Sequence, residues 1–133
     1  MADDMTACLW AFLEPFDGKP VEWGVDDCSA WCAAWARDCG HDVHLPAYAS
    51  EDEARALIDA AGGLVNVWDD VCVSAGVCER IGDPQIGDVG IIPTNRFGPV
   101  GVIWADNGLA CWRLKTSGLW LKPRTFIKTW AIT

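Results

Sequence analysis

The stretch VEWGVDDCSAWCAAW, residues 21 to 35, places a Trp-Gly turn and two aspartates ahead of a run whose apolar residues recur every three to four positions. Cys28, Trp31, Cys32, Trp35 and Cys39 fall on one stripe, with Arg37 and Asp38 outside it, so the segment reads as a buried central helix. Asp26 or Asp27 can cap its start, and Gly40 marks its end. Upstream, DMTACLWAFLEP carries Cys8, Leu9, Phe12 and Leu13 on one stripe and stops at Pro15, followed by the turn-rich PFDGKPVEWG. Downstream, Ser50 and Glu53 form a capping box before EARALIDAAGG, which ends at Gly62 and Gly63. LVNVWDDVCVSAG adds one more helix or an irregular segment.

The second half changes period. GDVGIIP, PVGVIWA, LACWRLK and GLWLKP are short runs rich in Val, Ile, Leu and Trp, broken by Gly, Pro and Asn, and they read as strands. Between the middle two, Asp106-Asn107-Gly108 predicts a hairpin, because Asn-Gly accepts the positive φ that such a turn requires at both central residues. Helices first and strands afterwards predict an α+β fold, N-terminal helices packed on a C-terminal antiparallel sheet. With 133 residues and no repeat or linker, residues 1–133 form a single domain.

A hydrophobic fraction of 51% excludes a disordered chain, and the longest apolar runs fall short of the ~20 residues of a membrane span. The opening MADDMTACLW carries acids in place of the basic start of a secretion signal, so synthesis in the cytoplasm is expected. The net charge of −9 is uneven: residues 1–60 hold 13 acids against 3 bases, whereas residues 113–133 hold five bases and no acid. That basic end could meet an acidic partner, although a solvated strand surface is the commoner reason for it. An acidic chain makes nucleic acid an unexpected partner. Of nine tryptophans, Trp23, Trp31, Trp35 and Trp104 read as core, and Trp120 and Trp130 as interface residues.

Seven cysteines leave at least one free thiol in a monomer. Cys28 and Cys32 lie one turn apart on a single helix, where β-carbons sit ~5–6 Å apart, too far for a disulfide. No C-x-x-C knuckle occurs, so neither a metal site nor a cofactor is expected.

Cys28 is the candidate nucleophile. A thiol in the first turn of a helix feels the N-terminal partial charge, and the amides around Asp27 and Ser29 can donate to an oxyanion. Asp26 and Asp27 oppose this by placing negative charge beside the thiol. A base is also required. His41 follows the far end of the same helix, ~16–20 Å away, and His44, three residues on, is a weak candidate. Asp88 and Asp106 are poor substitutes, because a carboxylate of ordinary pKa is a poor acceptor for a thiol proton.

WGVDDCSAW (23–31) opening a helix, GDVGI (87–91) opening a strand and GPVGVIW (98–104) on the next strand together resemble the NlpC-type, papain-like cell-wall cysteine peptidases. The likeness is nearest to the short single-domain relatives found among tail genes of tailed phages and gene transfer agents. It implies a papain-like fold with Cys28 as nucleophile, a histidine at the position held here by Pro99, and a third polar residue near Cys111. With both partners replaced, the resemblance implies a degenerate site in a tail-tip protein of a phage-like particle. Its partners would be other tail-tip or hub proteins and its location the virion. The alternative is an active hydrolase of peptidoglycan stem peptides with another base.

Overall fold

The computed structural model describes residues 2–114 and 118–132, with the side chains of residues 2–4, 118 and 119 left aside. Helix α1 (Ala2–Leu13) runs into a short 3-10 turn (Glu14–Phe16), and α2 (Cys28–Asp38), α3 (Glu51–Ala61) and α4 (Leu64–Ala75) follow. Strands β1 (Val89–Thr94), β2 (Gly98–Trp104), β3 (Ala110–Arg113), β4 (Gly118–Leu121) and β5 (Lys128–Trp130) form one antiparallel sheet in the order β4-β3-β2-β1-β5. The α+β arrangement expected from the sequence is present.

Helix α2 is the centre. Seven of its eleven residues are buried, so it must be covered on nearly all sides. Phe12 of α1 lies against Trp31 and Trp35, and the Trp35 indole donates to the Gly87 carbonyl at 2.7 Å. The same face of the sheet receives α4, where Trp68 stacks on Trp130 of β5. Cys8 stays exposed and Cys39 half-buried, against the expected stripes.

The cap and stop of α3 and the Asn107-Gly108 turn formed as predicted. The Ser50 hydroxyl accepts from the Glu53 amide at 3.1 Å, and α3 ends on Gly62 at φ 86°. Asn107 and Gly108 both take positive φ, and the Leu109 amide donates to the Asp106 carbonyl. β5 is a strand that the sequence reading does not predict. It pairs with β1, so the chain between Leu121 and Lys128 crosses from one edge of the sheet to the other. Four strand spacings amount to ~19 Å, which the short connection spans only when nearly extended. Phe126 packs on Trp104, which clusters with Ile92, Val102 and Ala110 on the face opposite the helices, so the connection passes over that face. Gly90 belongs to this face for a steric reason: a β-carbon there would stand 2.4 Å from the Trp104 indole nitrogen.

The outer edge of β5 is covered in turn. Arg80 and Ala131 amides bond the Thr129 and Cys78 carbonyls, and Arg80 reaches the fully buried Asp88 through two guanidinium nitrogens at 2.9 and 3.2 Å. Asp88 also accepts from the Gln85 and Ile132 amides. Among the described residues no helix is long and apolar enough to cross a membrane.

Asp88→Ala should therefore destabilise the protein by about 2–4 kcal/mol in urea titrations, because it removes a buried carboxylate that accepts from the Arg80 guanidinium and from the Gln85 and Ile132 amides. A change below about 1 kcal/mol would show that Asp88 is not a structural anchor.

Candidate functional site

The segment before α2 is a tight turn. The Val25 and Asp26 amides both donate to the Glu22 carbonyl, and Gly24 holds φ at +86°. Only glycine fits there, since a β-carbon would stand 1.9 Å from the Tyr48 carbonyl oxygen. The turn sends the two aspartates in different directions.

Asp26 is buried and faces residues 16–22 and β3. It accepts from the Glu22 amide at 2.7 Å, pairs with Lys19, and lies 3.6 Å from an Arg113 guanidinium nitrogen. Burial works against its charged form, but the Glu22 amide, Lys19 and Arg113 together hold its carboxyl below the usual range. Arg113 is itself buried, and it donates to the carbonyls of Asp26, Phe16 and Lys19 at 3.2, 3.2 and 2.8 Å.

Asp27 precedes the first residue of α2, but its carboxylate does not cap the helix. It accepts from the Gly24 amide at 2.8 Å and from the Tyr48 hydroxyl at 2.7 Å. Burial, the Asp27 charge and the hydrogen bond to it push the Tyr48 phenol well above its ordinary pKa. Both aspartates thus hold loops around the start of α2.

A groove of about 620 Å³ opens there. Asp27, Cys28 and Ser29 line it beside Pro99, and Trp23, Phe97 and Trp112 supply aromatic walls. The resemblance's nucleophile and its Pro99 position therefore meet in one place. Cys111 does not line this groove. It is buried, and burial pushes its thiol up to about 12. Cys32 is pushed up too, by burial first and then by Cys28, Cys111 and Asp27.

Cys28 is half-buried, and its thiol is pushed up to about 11. Burial is the largest cause and the adjacent Asp27 charge the next, and together they outweigh hydrogen bonds from Gly101 and Ser29. The helix start does not make this thiol acidic. Among the described residues no imidazole lines the groove. His44 is exposed and pairs with Asp42 at 2.7 Å, and His41 bonds the Ile132 carbonyl at 2.7 Å. Nor do the described residues place three His, Cys, Asp or Glu side chains where they could hold a metal ion.

Several surface expectations are corrected. Trp130 is 1% exposed and Trp23 is 37% exposed, the reverse of their expected places, because β5 docks on α4 while Trp23 sits at the groove. Trp120 is partly exposed and stacks on Trp10 at 5.0 Å. The basic end is not one solvated surface: Arg113 is buried, and Lys128 pairs with Asp69 at 2.7 Å. Tyr48 and Arg113 are the site residues that sequence reasoning missed.

Asp26 has a lowered folded pKa, so its stabilising contribution is present above the unfolded value of about 3.9 and is lost as pH falls through the folded value. Asp26→Asn should lower stability at neutral pH and flatten the acid limb of the stability curve; an unchanged acid limb would refute the assignment. Cys28 should alkylate slowly at neutral pH, with a rate that climbs toward a pKa of about 11. Rapid labelling near pH 7 would mean an activated thiol.

No curated protein matches the chain. A family pattern extends over residues 1–132, and by that match the chain belongs to the family described as Domain of unknown function (DUF6950).

Proposed function

We propose that this chain is a non-catalytic structural component of a phage-type tail tip, built on the NlpC-type, papain-like architecture, with the Cys28 groove kept as a contact surface. The carrying observation is the chemistry of Cys28. A thiol of pKa about 11 is ionised in about one molecule in ten thousand at pH 7. A peptidase of this kind depends on an imidazole to take that proton, a contribution of roughly 10²–10⁴ in rate, and Pro99 stands where the resemblance expects it. Proline offers no proton acceptor.

The α+β layering, the half-buried cysteine at a helix start and the open apolar groove all support descent from a peptide-cutting scaffold. The tail-tip setting and the hub partners come from the sequence resemblance. An apolar groove with aromatic walls suits contact with a protein surface.

Purified protein should release no soluble fragments from peptidoglycan, with wild type and Cys28→Ala indistinguishable, and it should co-elute with tail-tip assemblies. Fragment release by wild type that disappears in Cys28→Ala would overturn this reading in favour of an active cysteine hydrolase. Consistent failure to join any tail assembly would remove the structural role.

A further inference from the structure

We propose that the cleft beside Trp10 and Trp120 binds an uncharged oligosaccharide, with one pyranose ring lying against the exposed indoles. The cleft has a volume of about 330 Å³ and lies between the end of α1, the 3-10 turn and the strands β3 and β4. Trp10 and Trp120 stack on each other at 5.0 Å, yet they stay 56% and 36% exposed. Large rings left in water beside a cavity mark a binding surface. The same two rings also border a neighbouring hollow of about 240 Å³, with Leu9, Ile86 and Asp106, which gives a chain of sugars room to continue. The proposal does not rest on the role of the Cys28 groove, since neither Cys28 nor Pro99 lines this cleft.

Three polar side-chain groups of the cleft have no partner among the described residues. Glu14 and Asp17 expose carboxylates that meet no cation and no N–H donor there. Trp31 lines the cleft from α2 while only 1% exposed, and its buried indole N–H has no acceptor. Its ring neighbours Phe12 and Phe16 offer none. A buried donor without an acceptor is destabilising, and at the wall of a cleft a ligand can supply the missing oxygen. Arg113 also lines the cleft, but its donors are committed to the carbonyls of Phe16, Lys19 and Asp26.

The mixture of unmatched groups selects the ligand. A lysine or arginine side chain can pair with the carboxylates and lie over an indole, but it only donates and leaves the Trp31 N–H without an acceptor. An anion would accept from that N–H but meet two carboxylates of its own sign. A hydrocarbon chain would leave all three groups unmatched. A sugar hydroxyl both donates and accepts, and the C–H face of a pyranose ring is apolar. One such ring can therefore lie on the indoles, donate to Glu14 and Asp17, and accept from Trp31. Apolar walls with a few convergent polar groups are the usual form of a small-molecule site.

The test titrates the whole chain with cellohexaose, chitohexaose and maltohexaose, which share uncharged pyranose rings and differ in linkage and substituents. Binding is read by calorimetry and by the indole N–H resonances. At least one sugar should bind with a Kd at or below about 1 mM and move the Trp31 N–H resonance. Trp10→Ala should weaken that binding by about tenfold or more, and Glu14→Gln combined with Asp17→Asn should weaken it severalfold. All three residues are exposed, so circular dichroism should show both variants folded. Trp23→Ala alters the Cys28 groove and should leave the sugar affinity unchanged, which separates the two sites. Raising salt from about 50 mM to about 500 mM should change the affinity by less than about twofold, as for a neutral ligand. The proposal is overturned if none of the three sugars binds at about 1 mM, or if binding is unchanged in Trp10→Ala. It is equally overturned if a peptide bearing Arg and Lys occupies the cleft in place of the sugars and is released by salt.

Discussion

The Arg113 guanidinium is the fixed point of the end of the molecule that carries the groove. From β3 its donors reach the backbone carbonyls of Phe16, at the end of the 3-10 turn, and of Lys19 and Asp26 in the segment that follows. A loop's buried carbonyls must be satisfied, and a planar cation with five donors can serve several at once. Asp26 supplies the opposing charge, aided by Lys19. Breaking such a buried arrangement on one side costs far more than the pair contributes as a whole. The position of the α2 N-terminus, and with it of Cys28, follows from this anchoring of residues 16–26.

The groove's chemistry is a consequence of the same construction. Turning Asp26 toward Arg113 leaves Asp27 beside the thiol, where Tyr48 and the Gly24 amide hold it. A carboxylate so placed raises the thiol pKa, and burial adds to it. The helix start and its free amides favour thiolate, but desolvation and one fixed negative charge are larger effects at this site. The arrangement holds loops well and activates a nucleophile poorly.

Much of the fold was legible because its signals are local. The Ser50 cap, the Gly62 stop and the Asn107-Gly108 turn each rest on a few neighbouring residues, and each formed as the sequence indicates. β5 was hidden because three residues carry no period, and its partner β1 lies far back in the chain. Arg113 was hidden for a related reason: it lies among other bases, and its carbonyl partners are nearly a hundred residues away. In the site, the position of Cys28 at a helix start was readable from the pattern. The part played by Tyr48 was not, since a lone tyrosine in a loop gives no sign of what its hydroxyl meets.

The path of residues 122–127 bears on the order in which the molecule can be completed. β1 to β4 are consecutive hairpin neighbours and can pair as they are made, but the far edge of β1 waits for a strand that arrives only after the chain has crossed the sheet. Until Trp130 is in place, Trp68 lacks its stacking partner and β1 presents unpaired backbone. Closing that edge brings together segments distant in sequence, the slow kind of contact in folding. A nascent chain halted short of β5 would carry helices and a sheet with one sticky side, a natural target for a chaperone or for aggregation.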